Sequence, residues 1–281
     1  MYCYLELSLL VNIVNLKKGQ KLYWKVHNVQ AQKSFLRMGI LLKDYLLRIG
    51  VNCSMYKNRN VFCFILARGG SKGIPRKNTV ILSGKPLIAH SIDLAKKVKY
   101  IDKIFVSTED AEIKKISLEC GAFVVDRPED LATDTSYYLD AVKHMISKID
   151  EQNDNPLIVL LETTSPIRKI EDVEKCIELY EGVDVVLSIH EVKTHPSRMF
   201  RIRDDLLYFY LNRLPSSNRQ EEEKLFAVNG SIIVSDCAFL KKQDKVIFGG
   251  RMKGYLLDEK HSMDIDSPFD LEICKTLMDV K

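Results

Sequence analysis

From residue 61 onward, short β-branched and aliphatic runs alternate with amphipathic stretches. The runs at 61–67, 103–107, 122–125, 157–161 and 184–189 read as strands, and the stretches at 86–98, 111–120, 139–149 and 170–180 read as helices. That alternation predicts an α/β fold, a mostly parallel Rossmann-like sheet flanked by helices, with its ligand at the carboxyl ends of the strands. After Ile189 the rhythm changes to LLYFYL at 206–211 and GSIIVSD at 230–236, separated by the polar run NRLPSSNRQEEEK. These pieces predict a β-rich excursion over about 190–228 that caps the site or pairs with a second subunit. The last helix is marked by Ser267 as N-cap, Pro268 at the first helical position and Asp270 completing a capping box.

Residues 1–60 lack this rhythm and hold the single tryptophan, Trp24. Residues 1–54 carry eight Lys or Arg against Glu6 and Asp44, a charge of +6, which leaves −2 for the rest of a chain whose total is +4. We therefore expect a basic N-terminal extension appended to one domain over 61–281, with the native start near Met55; a basic segment that docks on the body or on an anionic surface is the alternative. A body of −2 has no field for capturing nucleic acid. The seven cysteines are scattered and contain no CxxC pair, which suits buried thiols in a reducing cytoplasm. The most apolar run, LELSLLVNIV, contains Glu6 and falls short of the roughly 20 residues of a membrane span. Lys17 and Lys18 follow that run, whereas a secretory signal has its positive charge before it.

Directly after the first strand comes ARGGSKGIPRKN, ending at Asn78. Gly69, Gly70 and Gly73 permit backbone shapes that gather N–H groups, while Arg68, Lys72, Arg76 and Lys77 supply positive charge. A polyanion suits such a turn. The spacing fits neither GxxxxGK[ST] nor GxGxxG. Near the other end, Ser262-Met-Asp-Ile-Asp-Ser267 places Asp264 and Asp266 two apart in an extended context. On a strand both carboxylates leave the same face, and Mg²⁺ takes one or two carboxylates together with substrate phosphates.

The string ILARGGSKGIPRKN resembles the nucleotide loop of the CMP-sialic acid synthetases (acylneuraminate cytidylyltransferases) and of relatives that activate legionaminic and pseudaminic acids. Further likenesses are DRPEDLATDT at 126–135 to RPxxLAxDT, LLETTSPIR at 160–168 to LLQPTSPLR, Asn218-Arg-Gln220 to PRQ, and Val228-Asn-Gly-Ser231 to PNGAIYI. The likeness covers roughly 61–281. It implies a nucleotide-diphospho-sugar transferase type of fold and places Arg68, Ser71 and Lys77 on the CTP phosphates, with Asn78 reaching the base. It also implies that Arg127 distinguishes cytosine, that Glu162 lies beside the sugar, that Arg219 meets the sugar carboxylate, and that Asn229 bonds at the site edge. Asp264 and Asp266 hold the metal, Mg²⁺. The chain departs from the pattern at Glu162 (usually Gln), Thr163 (Pro), Ala227 (Arg), and Tyr137 and Tyr138 (small residues).

The implied reaction is transfer of CMP from CTP to the anomeric hydroxyl of a nine-carbon acidic sugar, with loss of pyrophosphate, in a cytoplasmic homodimer. Arg68, Lys77, Asp264 and Asp266 would be its catalytic groups. The alternatives are the same chemistry on another keto-deoxy sugar, or a noncatalytic nucleotide-binding homologue.

Overall fold

The computed structural model describes residues 56–57, 59–149, 155–211, 214–216 and 218–279. The expectations for residues 1–55 lie outside the described residues. The first strand, β1 (Val61–Leu66), is buried along nearly its whole length. That is the condition under which a strand reads as a continuous apolar run. Its residues divide by pleat: Val61, Cys63 and Ile65 enter one core cluster, while Phe62 and Phe64 enter the cluster on the other face. The same division runs along β6 (Leu157–Leu161), with Leu157, Val159 and Leu161 on one side and Ile158 and Leu160 on the other.

β4 (Lys103–Thr108) and β6 flank β1 in parallel, and β5 (Phe123–Asp126) extends the sheet beyond β4, also in parallel. Helices α1 (Leu87–Ala95), α2 (Ala111–Glu119), α3 (Tyr138–Lys148) and α4 (Ile170–Leu179) follow the pattern read from the sequence. Asp110 caps α2 by accepting from the N–H groups of Glu112 and Ile113. Beyond β6 the sheet continues through β10 (Phe226–Asp236), β7 (Val185–Glu191) and β11 (Met252–Leu256), giving the order β11-β7-β10-β6-β1-β4-β5.

Two corrections follow. GSIIVSD is no peripheral piece: it forms most of β10, which runs antiparallel between β6 and β7 inside the main sheet. The detached β-rich part is the hairpin of β8 (Phe200–Arg203) and β9 (Leu206–Phe209), a separate two-stranded sheet. β11, the small β2 (Ile81–Leu82) and β3 (Lys85–Pro86) pair, and the short α5 (Cys237–Lys242) have no counterpart in the sequence reading. In β11 only Tyr255 is less than exposed, so Met-Lys-Gly-Tyr-Leu carries no alternation.

A third core cluster matters most for function. It joins Ile74 of the glycine-rich turn to Ile265, which lies between the two aspartates, and to Leu271 and Cys274 of α6 (Pro268–Asp279). Each buried Ile contributes about 1.5–3 kcal/mol. Two segments almost two hundred residues apart are thereby clamped together.

Candidate active site

The turn after β1 and the acid pair meet at the carboxyl edge of the sheet. Gly73 is the closest point of approach: a Cβ there would stand 2.1 Å from the carbonyl oxygen of Asp266. At Gly69 it would stand 2.6 Å from Asp110 Oδ2. These glycines serve close approach and not, as expected, unusual backbone angles; the left-handed residue of the turn is Arg76, at φ 58°. Lys77 Nζ donates to the carbonyl of Ile265 at 2.8 Å and to Asp266 Oδ1 at 3.2 Å.

The acid pair does not sit on a strand. Residues 263–266 are irregular, but the backbone is pinned at both ends. Ile265 N–H donates to the carbonyl of Thr164 at 2.9 Å. Asp270 of the α6 capping box accepts from the N–H groups of Asp266 at 3.2 Å and Ser267 at 2.8 Å. Ile265 turns into the core while Asp264 and Asp266 remain outside it. Asp264 is half-buried, and burial raises its pKa against the hydrogen bond from Thr164, with the Asp266 charge adding to the rise. Its Oδ1 is buried with no hydrogen-bond partner. Asp266 is 77% exposed.

Between them opens a cavity of about 400 Å³ whose wall includes Arg68, Ser71, Lys77, Asn78, Arg127, Glu162 and Asp266. Seven of the residues singled out from sequence are thus brought together. Arg127 is nearly buried, its Nε donating to Ser107 Oγ at 3.0 Å and its Nη2 to the Ser107 carbonyl at 2.7 Å. Burial lowers its pKa, with the Glu109 carboxylate opposing. Asn78 is buried as a tie between two loops, donating to the carbonyl of Arg68 at 2.9 Å and accepting from Thr163 Oγ1 at 2.6 Å. Arg76 turns away, held by Asp110 and Glu112 at the start of α2.

Asn229 lies off the cavity wall, in the bulge where β10 shifts register between Val228 and Ile233. Gly230 takes φ +72° there, a conformation that favours glycine. Asn229 Oδ1 accepts from Ser188 Oγ at 2.6 Å and from Ser231 N–H at 3.1 Å, while its Nδ2 is buried without a partner. Arg219 opens a short 3-10 turn, and its side chain lies outside the described residues.

Three groups at the site were not assigned a role from the sequence. Asp134 makes ion pairs with Arg68 at 2.8 Å and Lys72 at 2.9 Å, and those cations hold its pKa down. Tyr138 lines the cavity beside Glu162; the sequence marks it only as an unusual residue. Arg168 is buried, with Nη1 donating to the Ser231 carbonyl at 2.7 Å and Nη2 to Ser91 Oγ at 2.5 Å. Burial brings its pKa down to about 10. A signal for Arg168 existed, a lone charge closing the segment 160–168 in front of an amphipathic helix, but charge at such a place is normally exposed.

A mostly parallel sheet with a polyanion cradle at its carboxyl edge and a carboxylate pair facing the cradle defines a nucleotidyltransferase type of fold and site. In accord, the solved structure of CMP:2-keto-3-deoxy-manno-octonic acid synthetase complexed with CTP superimposes with a TM-score of 0.60 at 19% identity, over 78% of this chain and 98% of that one. At that identity the likeness concerns the fold. The sequence model of the cytidylyltransferase family matches residues 62–248, and the chain belongs to that family. N-acylneuraminate cytidylyltransferase of Streptococcus agalactiae serotype V is 37% identical over 213 residues, 74% of this chain and 51% of that protein. CMP-N,N'-diacetyllegionaminic acid synthase of Legionella pneumophila is 32% identical over 237 residues, 78% of this chain and 97% of that protein. The chain spans about half the length of the streptococcal relatives.

Proposed function

We propose that the chain transfers CMP from CTP to the anomeric hydroxyl of a nine-carbon acidic 2-keto sugar and releases pyrophosphate. The observation that carries this reading is the contact of the cationic turn with the acid pair, Lys77 Nζ to Asp266 Oδ1 at 3.2 Å, on the wall of one cavity. The printed activities of the streptococcal and Legionella relatives support the choice of sugar. Such transfers are catalysed chiefly by positioning and charge stabilisation. Arg68, Lys72 and Lys77 meet the triphosphate and stabilise the pyrophosphate as the bond between the α-phosphorus and its bridging oxygen breaks. Ser71 adds a hydroxyl donor, and Arg127 and Asn78 bound the end of the cavity taken by the base. The sugar oxygen forms the new bond to phosphorus, and Arg219 and Asn229 assist in holding the sugar.

Asp264 and Asp266 fit a magnesium ion: both are hard oxygen donors, and Asp264 Oδ1 is buried and unpartnered. Magnesium held there would offset phosphate charge. Phe200, Ile202, Leu206, Leu207 and Tyr208 on the β8–β9 hairpin are exposed; so much apolar surface on one hairpin supports pairing of two copies through it. Among the described residues no helix is long and apolar enough to cross a membrane, which together with the use of CTP supports action in the cytoplasm. Pyrophosphate release from CTP and Mg²⁺ should appear with N-acetylneuraminic, N,N'-diacetyllegionaminic or a pseudaminic acid. Silence with all three overturns the reading.

A further inference from the structure

Glu162 stands directly after β6 on the cavity wall, between two kinds of neighbour. On one side is the β10 bulge, where the Glu162 Cγ atom would lie 3.8 Å from a Cβ at Gly230. On the other is the acid pair, because Thr164, two residues on, accepts from Ile265 N–H and bonds to Asp264. Burial raises the Glu162 pKa, while the Tyr138 hydroxyl, acting as donor, and the charges of Arg168 and Lys77 favour the carboxylate. Arg168 belongs to the same knot, since Ser91 accepts from it and donates to the Glu162 carbonyl.

An ionised carboxylate only accepts hydrogen bonds and offers about four lone-pair directions. It cannot face phosphate oxygens, which also only accept. The phosphates therefore belong to Arg68, Lys72 and Lys77, and Glu162 is left to the other reactant, next to the acid pair where the two reactants must meet. A half-buried acceptor of this kind discriminates strongly, because a ligand without a matching donor leaves it desolvated and unpaired.

We propose that Glu162 is the specificity-determining residue for the acceptor, selecting an acidic sugar that presents an N–H donor to it, a cationic amine or amidine more strongly than a neutral amide. The inference rests on the CMP-transfer reading above. It names a substituent class for the sugar, a feature set by this chain's own carboxylate.

The test uses the full chain, CTP and Mg²⁺, with N,N'-diacetyllegionaminic acid as reference acceptor and analogues in which each acetamido group in turn is a free amine or an acetoxy group. Acetoxy keeps the shape and deletes the N–H. At one of the two positions kcat/KM should fall about 10- to 100-fold with acetoxy, the penalty of an unpaired buried acceptor, and should rise with the amine. In Glu162→Gln, which carries its own N–H donor, the amide-to-acetoxy ratio at that position should collapse to within about 3-fold, because the variant amide can donate to the ester carbonyl.

A structural role alone would lower all acceptors together and leave the ratio where it was, overturning the proposal. A change in preference between CTP and UTP with unchanged sugar ratios would place Glu162 on the base and overturn it equally. Should wild type turn over every acceptor alike, the selection fails while the CMP-transfer reading stands. If no acceptor, N-acetylneuraminic acid included, gives pyrophosphate, both fall.

Discussion

The two walls of the cavity are built on opposite principles. On the β1 side, Arg68 and Lys72 stand on a turn, 33% and 78% exposed, with the exposed Asp134 as their counter-charge. On the β6–β10 side, Arg168 is buried among Ser91, Ser231 and the backbone, and Asn229, Ser231 and Asp264 each keep a buried polar atom without a partner. The first wall attracts charge through solvent and adjusts to it. The second is fixed in advance, so it discriminates between ligands and suffers more from any loss. Lys77 and Asp266 form the seam where both walls touch the same ligand.

The comparison can be broken first at the seam. Asp266→Asn keeps the shape of an exposed side chain and should leave the thermal midpoint unchanged while lowering pyrophosphate release by about 100- to 1000-fold, the loss seen when one preorganised charge contact is removed. An active variant would detach the acid pair from the chemistry. Next comes the rigid wall. Arg168→Met keeps length but strands the Ser231 carbonyl and Ser91 Oγ and withdraws the cation that faces Glu162 and Asp264. Denaturant unfolding should show a loss of about 3 kcal/mol; a loss near zero would mean that this wall is not held by its polar knot.

A smaller effect lies in pH. Burial lifts the folded pKa of Glu162 above its ordinary 4.5. Between the two values the native state holds more proton than the unfolded chain, so this group's contribution to stability declines as pH rises through that window. Glu162→Gln has no such proton to lose. Its stability relative to wild type should therefore increase from about pH 4 to about pH 7 in paired unfolding curves, and parallel curves would contradict the burial of that charge. The smallest effect belongs to the open wall: Asp134→Asn frees Arg68 and Lys72 for a triphosphate and should lower the KM for CTP by no more than about 5-fold, the scale of a solvent-exposed ion pair.

Much of this was legible before any coordinates. The buried strands β1 and β6 announce themselves as unbroken apolar runs, and the capping box at Ser267 and Asp270 forms as its spacing predicts. The turn 68–78 and the acids 264 and 266 were identified as partners by residue type alone. β10 was misplaced because Asn229, Gly230 and Ser231 interrupt its apolar run where the bulge needs them. The glycines were given the wrong reason, since close approach between residues 73 and 266 has no signature in a linear string.

The sequence by itself determined the order of strands and helices along the chain, the cationic turn, the acid pair and the family. These depend on local periodicity and on residues whose chemistry is the same in any context. Only the tertiary structure decided that β10 runs antiparallel in the middle of the sheet, that Arg168 is buried, and that Ile74 and Ile265 share one core cluster beneath the cavity. Those outcomes depend on which distant surfaces exclude water together, and burial of that kind is a property of the folded neighbourhood.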